Sequence, residues 1–230
     1  LELALLRYHD FGEDIAVIVR NDFSDPEELY PSIFFRSEDD FEDWELLALG
    51  RCGPRVLDIG AGVGSHGLAL QTRGHSVTAL ELLPGTVRIM RERGITDARL
   101  GRLEEFSKND LKYDTILLLM NGSMLAGTLT GLEQLLSLAS SLLTSTGIIL
   151  MDSTDLRTVG DLDFPASQSY AGELHYQLEF DGVIGEVFPQ LFVDPKLLAC
   201  ISRDVGLEVD VVWFNKKGHY LAELKKGLEV

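Results

Sequence analysis

Cysteine and basic residues are scarce in this chain, and long apolar runs are missing. The two cysteines, Cys52 and Cys200, lack any metal-ligand spacing, so neither a disulfide nor a zinc site is expected, and no other metal centre is. No apolar stretch reaches membrane-spanning length, and no basic flank leads into an apolar signal region. Both absences point to a cytoplasmic protein with no membrane partner. Lysine and arginine total 20 against 37 aspartates and glutamates, a net charge of -17. Without a basic stripe to neutralise a phosphate backbone, nucleic acid is not expected as a substrate. The acidity would steer a cationic small molecule, although most such charge is simply a solvated surface that aids solubility. Internal repeats and low-complexity tracts are absent. At 230 residues the chain can bury a full core, and 1–230 reads as one α/β domain.

Glycine is plentiful, and its placement is informative. An apolar strand, Val56–Ile59, runs into Gly60, Gly62 and Gly64, and a second strand, Ser76–Leu80, ends at Glu81. Glycines in such a turn let the backbone approach a ligand that a Cβ would push away, and an acid about 20 residues on is placed to accept from ribose hydroxyls. The window Gly62–Gly67 also matches the dinucleotide pattern, which makes a nicotinamide-dependent oxidoreductase an alternative. That register puts Asp58 at the strand tip, where an anion beside a pyrophosphate is unfavourable. Read as Asp58-x-Gly60-Ala61-Gly62-x-Gly64, the same acid suits a cationic ligand bearing an amino group and a sulfonium.

From Arg55 onward, strands and helices alternate, which predicts a mostly parallel sheet covered on both faces. Strands are expected at Val56–Ile59, Val77–Leu80, Asp97–Leu103, Thr115–Leu119 and Ile148–Met151, the last after a turn at Gly147. Helices are expected from Ser65 to Thr72, Pro84 to Arg93 and Leu132 to Leu143. Four segments follow: 1–50 as a helical or lid segment, 51–155 as the cofactor-binding half, 156–193 as an insert, and 194–230 as a helix with an antiparallel strand pair. In the first, Ser37 and Asp40 form a capping signal ahead of Phe41, Trp44, Leu47 and Ala48 at helical spacing. The insert reads as a β-hairpin, Glu173–Phe180 and Val183–Phe188 about an Asp181-Gly182 turn.

The ordered pattern resembles class I S-adenosylmethionine-dependent methyltransferases, over roughly Arg51 to the C-terminus. Motif I, the acid at Glu81, Tyr113-Asp114-Thr115-Ile116 entering strand four and the approach to strand five all come in sequence. More narrowly, Leu57-Asp58-Ile59-Gly60-Ala61-Gly62, Leu119-Met120-Asn121-Gly122 and Met151-Asp152-Ser153-Thr154-Asp155 look like a bacterial branch of small methyltransferases without an agreed substrate. The resemblance implies a doubly wound, Rossmann-like sheet of seven strands in the order 3-2-1-4-5-7-6, the last antiparallel, with the hairpin inserted after strand five. It implies S-adenosyl-L-methionine as cofactor, held by Asp58, Gly60, Ala61, Gly62, Gly64, Glu81, Leu82, Leu103 and Asn121. Arg36 is placed to meet the carboxylate of the cofactor's amino-acid end, or else forms a surface ion pair. Where the family commonly has an acid or amide for the adenine amino group, this chain has Arg102, which cannot accept that bond. Glu104, a backbone carbonyl, or stacking and apolar contact must then serve.

Ligands of such sheets sit beyond the carboxyl ends of the strands, so Asn121-Gly122-Ser123 should face the methyl acceptor, with Asn121 orienting it. The Asn-Pro-Pro-aromatic arrangement of nucleic-acid and protein amine methyltransferases is absent, which favours a small-molecule acceptor. Methyl transfer from a sulfonium can proceed by positioning and desolvation alone. For a hydroxyl acceptor, His66 or, in the hairpin, His175 would be the base. The hairpin is expected to cover the acceptor pocket, or to pair with a second subunit that does so in a homodimer. A non-catalytic cofactor-binding regulatory domain is the remaining alternative.

Overall fold

The computed structural model describes residues 1–106, 108, 111–158 and 170–227. The chain opens with helix α1 (Glu2–Phe11), strands β1 (Val17–Asn21) and β2 (Glu27–Leu29), and helix α2 (Asp43–Gly50). Then come β3 (Arg55–Ile59), α3 (Ser65–Thr72), β4 (Ser76–Glu81), α4 (Pro84–Arg93), β5 (Asp97–Leu100), α5 (Leu103–Phe106), β6 (Tyr113–Leu118), α6 (Leu129–Leu142) and β7 (Leu143–Thr154). The remainder holds β8 (Glu173–Phe180), β9 (Val183–Ile184), β10 (Phe188–Leu191), α7 (Pro195–Asp204), β11 (Leu207–Phe214) and β12 (His219–Lys226).

The main sheet has seven strands in the order β5-β4-β3-β6-β7-β12-β11. Numbered along the chain within this sheet, that is 3-2-1-4-5-7-6, as the resemblance implies. β12 runs antiparallel to both neighbours. Successive residues of the central strands serve opposite faces, which is why those strands read as continuous apolar runs. Val56 and Leu117 pack under α2 and α3 with Trp44, Leu49 and Leu70, whereas Leu57, Ile116 and Leu118 meet Leu132, Leu136, Leu142 and Leu198 of α6 and α7. Local signals set the helix ends. Thr128 accepts from the Gly131 N–H at the start of α6, Asp194 caps α7 ahead of Pro195, and Gly94 closes α4 in the left-handed region.

Several expected boundaries shift. The third strand stops at Leu100, because Gly101 adopts φ 155° and Leu103 already opens α5. Gly147 lies inside β7, which starts directly after α6 at Leu143 and absorbs the turn as a register shift opposite Tyr113 and Thr115. The Ser37–Asp40 capping box exists but closes a single 3-10 turn at Glu38–Asp40; α2 carries its own box, Glu42 with Glu45.

The largest departure is a second sheet. β1 and β2, which the sequence hides among polar residues, pair with the hairpin in the order β10-β8-β1-β2, with β9 also on β8. Segment 1–50 is thus partly stranded rather than only helical. The Asp181-Gly182 turn forms as expected, both residues at positive φ. The returning strand is broken after Ile184, however, and resumes one residue out of step, with Phe188 opposite Tyr176. A register unbroken from that two-residue turn would set Tyr176 opposite Val187 and His175 opposite Phe188; Phe188 and Pro189 take those places instead. Residues 159–169 of the expected insert and 228–230 of the C-terminal segment lie outside the described residues.

Leu136 is fully buried where α6 meets the sheet, so Leu136→Ala should cost about 2–5 kcal/mol. Phe214→Ser, at a side chain 76 % exposed, should stay within about 0.5 kcal/mol. Urea unfolding of both variants checks this.

Candidate functional site

Three cavities run side by side along the carboxyl ends of β3, β4 and β6. The first, about 360 Å³, is lined by Ile59, Leu80, Leu82, Leu103, Leu125 and Leu135, with Glu81 and Arg102 among its polar groups. The second, about 80 Å³, lies at the glycine loop between Asp58, Gly60, Ala61, Gly62, His66 and Arg36. The third, about 220 Å³, is walled by Trp44, Asn121, Asp152, Thr154 and His219. Gly60 and Gly62 border the first and second, and Ile33, Arg36 and Met120 border the second and third. The three form one trough.

The glycines of the loop differ in what they permit. Gly60, Gly62 and Gly64 all have positive φ, at 70°, 56° and 84°. A Cβ at Gly60 would lie 2.8 Å from Leu125, and one at Gly64 would lie 2.9 Å from Ile95. A Cβ at Gly62 meets nothing within 4 Å, so this glycine faces open space in which a ligand can approach the backbone. Glu81 braces the same loop. Its Oε2 accepts the Gly62 N–H at 3.0 Å and its Oε1 the N–H groups of Leu82 and Leu83 at 2.7 and 3.2 Å. A carboxylate offers about four lone-pair directions, so one on Oε2 stays open to a hydroxyl.

Asp58 is 3 % exposed, and its Oδ2 is buried with no hydrogen-bond partner. Burial pushes its carboxyl up to about 6, against the opposing attraction of His66, with Glu81 adding to the rise. Asp58 borders the second cavity, and a buried carboxyl with an oxygen left unpartnered fits a nearby cationic ammonium. Together with the open space at Gly62 and the free direction on Glu81, these residues fit the zwitterionic end and ribose of S-adenosylmethionine.

Arg36 and His66 are both turned onto Glu45. Arg36 donates to the two Glu45 oxygens at 2.7 and 2.8 Å and to the Ile33 carbonyl at 2.9 Å. His66 Nε2 lies 2.7 Å from Glu45 Oε1, and its ring packs against Phe41 at 4.9 Å. Burial alone would raise the Glu45 carboxyl, but the bonds from His66, Arg36 and the Glu42 N–H outweigh it and hold it at about 2. Asn121 adopts φ 57° and caps the 3-10 turn Gly122–Ala126; its Oδ1 accepts from Thr154 at 2.9 Å.

Two placements differ from expectation within the single chain. His175 lies on the second sheet, paired with Asp22 at 3.0 Å, and borders none of the three cavities. No residue of the hairpin lines the third cavity, which Ile33, Trp44 and Met120 help to enclose; pairing with β1 draws the hairpin into its own sheet, so within one chain it does not cover that cavity. Conversely, sequence reasoning missed His219, Trp44, Asp152 and Glu45 as site residues. Asp152 was visible only as part of a motif at the end of strand five, and His219 gave no signal, since nothing local links it to a carboxylate 67 positions away.

No family model matches the chain. Across 99 % of its length it superposes on a S-adenosylmethionine-dependent methyltransferase from Bacteroides fragilis, crystallised with S-adenosyl-L-homocysteine. The TM-score is 0.88, with 30 % identity and 94 % of that chain covered. The chain belongs to the class I S-adenosylmethionine-dependent methyltransferases. S-adenosylmethionine is its cofactor. More distant folds include the methyltransferase CcbJ of Streptomyces caelestis, at TM-score 0.65 and 15 % identity over 82 % of this chain and 94 % of that one. The sugar N-methyltransferase KedS8 of Streptoalloteichus superposes at 0.60 and 13 % identity over 89 % and 96 %.

Because the Asp58 carboxyl titrates higher when folded than its ordinary 3.8, its charged form opposes folding. In the donor-free methyltransferase, stability should fall as pH rises through about 4 to 6. Asp58→Asn should remove that loss, gaining up to roughly 3 kcal/mol near neutral pH and nothing below about pH 4. Urea unfolding at the two pH values checks it; a gain independent of pH would sink the assignment.

Proposed function

We propose that this methyltransferase moves a methyl group from S-adenosylmethionine to a small molecule held in the cavity of Trp44, Asn121 and His219. The observation that carries this reading is the shared wall of Ile33, Arg36 and Met120 between that cavity and the glycine loop. A cavity of about 220 Å³ suits a metabolite rather than a macromolecule, and a net charge of -17 disfavours nucleic acid. When bound, the cofactor supplies a methyl carbon activated by a sulfonium; the chain supplies position and exclusion of water.

Within the trough, Asp58 faces the ammonium of the donor, Arg36 turns the N–H left over from Glu45 and Ile33 to its carboxylate, and Gly60, Ala61, Gly62 and Gly64 line its path along the loop. Glu81 takes a ribose hydroxyl, and Leu82 and Leu103 sandwich the adenine. The Arg102 carbonyl already accepts the N–H groups of Glu105 and Phe106, which argues against that carbonyl as the adenine acceptor and in favour of Glu104 or apolar contact. Asn121 orients the acceptor. His66, locked on Glu45, shapes the donor end and is a weaker choice of base. Free Cys52 and Cys200 suit a reducing compartment such as the cytoplasm, and among the described residues no helix is long and apolar enough to cross a membrane.

Isothermal titration should give heat with S-adenosylmethionine and S-adenosylhomocysteine and none with NAD. Glu81→Ala should lose about 1.5–3 kcal/mol of donor affinity, and Gly62→Val should abolish binding by filling the open space. Arg102→Asp should preserve or tighten it, whereas Glu104→Ala should weaken it. NAD heat would revive an oxidoreductase. Transfer of a labelled methyl to any metabolite excludes a purely regulatory cofactor-binding role.

A further inference from the structure

His219 opens β12 and forms part of the wall of the acceptor cavity. Its Nε2 lies 2.8 Å from Oδ2 of Asp152. Asp152 is completely buried and accepts two further bonds, from the Asn121 N–H at 2.7 Å and the Gly122 N–H at 3.2 Å. Backbone N–H groups can only donate, so both Asp152 oxygens serve as acceptors, an arrangement that suits the carboxylate, and facing a carboxylate His219 Nε2 carries the hydrogen. In the neutral ring the lone pair then sits on Nδ1. That atom has no hydrogen-bond partner among the described residues and is not buried. The ring is held edge-on against Trp44 at 4.7 Å and Trp213 at 5.5 Å, so its orientation is fixed by two aromatic walls and one charge-assisted bond.

The other charged groups of this cavity are already engaged. Arg36 and Glu45 hold each other, Glu45 also takes His66, and Glu42 accepts from Trp44 Nε1 at 3.1 Å. The wall therefore presents one open base, and beside it Asn121, whose Oδ1 is occupied by Thr154 and whose Nδ2 is left to donate.

We propose that His219, oriented by Asp152, is the general base for a hydroxyl-bearing acceptor, so that the reaction is O-methylation. The proposal rests on the methyl-transfer reading above. A neutral amine already presents a lone pair and keeps its proton in the product, so it has no need of a base in this position. A hydroxyl oxygen that forms a third bond must shed its proton. As that oxygen bonds to the methyl carbon, the carbon–sulfur electron pair stays on sulfur, which becomes a neutral thioether. The hydroxyl proton passes to His219 Nδ1. The resulting imidazolium is stabilised by Asp152 and releases its proton to water. The charged groups facing the ring are Asp152 from β7 and Arg36, Glu42 and Glu45 from the segment before β3, with Lys216 and Lys217 exposed in the same turn.

The test uses the whole chain saturated with S-adenosylhomocysteine, and 4-nitrophenol, whose phenolate absorbs in the visible, as probe. Bound probe is expected to ionise about one pH unit below free probe, a tenfold gain in phenolate at fixed pH. His219→Asn should abolish the shift while keeping the heat of S-adenosylhomocysteine binding, and Asp152→Asn should shrink it. Nitrogen NMR of the wild type should show His219 protonated on Nε2. Equal ionisation in wild type and His219→Asn, no binding of 4-nitrophenol to the wild type, or a ring protonated on Nδ1 overturns the proposal. So does tighter binding of 4-nitrobenzylamine that ignores His219, which would assign an amine acceptor. Failure of S-adenosylhomocysteine to bind the wild type is a separate result, which removes the donor site and this proposal together.

Discussion

The Glu45 carboxylate is 1 % exposed, and three parts of the chain converge on it: Arg36 from the loop before α2, the Glu42 N–H at the start of that helix, and His66 from the first turn of α3. A buried charge is tolerated only when it is paired and its lone pairs are filled, and here both conditions hold. The cluster fastens the N-terminal segment to the glycine-loop half and stands between the cavity at the glycine loop and the cavity walled by Trp44 and His219. The same grip explains why His66, adjacent to the glycine loop, acts as a strut.

Against that satisfied cluster stands Asp58, equally buried yet left with an unpartnered oxygen. The two acids show how environment assigns roles: hydrogen bonds and a guanidinium depress one to about 2, while desolvation lifts the other to about 6. A depressed acid contributes stability that is lost only as pH falls through about 2. A raised acid costs stability and is poised to gain from a cation. On the proposed function the cation is the ammonium of the cofactor, so the cost in the free protein would become affinity in the complex.

The cavity of Trp44 and His219 is organised through Asp152, which ties the loop after β6 to β12 through the Asn121 and Gly122 N–H groups and the His219 ring. Position in the sheet makes this contact possible. β7 stands between β6 and β12, so its last residues can bridge the loop on one side and the first residue of the antiparallel strand on the other. The second sheet contributes no wall to the trough, but its last strand anchors the same loop, the Leu191 carbonyl accepting from Ser123 at 2.8 Å.

The sequence by itself determined the cofactor half. Motif I, Glu81 and the alternation of strands and helices follow from local signals: closely spaced glycines after a strand, apolar runs bounded by turns, and an acid at a fixed distance along the chain; the strand order came only from the family resemblance that those signals carry. Local signals also fixed the Asp181-Gly182 turn and the ends of α3 and α4. Only the tertiary structure decided the second sheet, because β1 and β2 carry one strong core residue, Val17, and otherwise half-exposed or polar ones whose strand character depends on the hairpin that pairs with them. It also decided the wall of the third cavity. His219 and Asp152 are 67 positions apart, and Trp44 lies farther still along the chain. Periodicity and capping act within a few residues, whereas a carboxylate, an imidazole and an indole from three distant segments meet only when the sheet places their strand ends side by side.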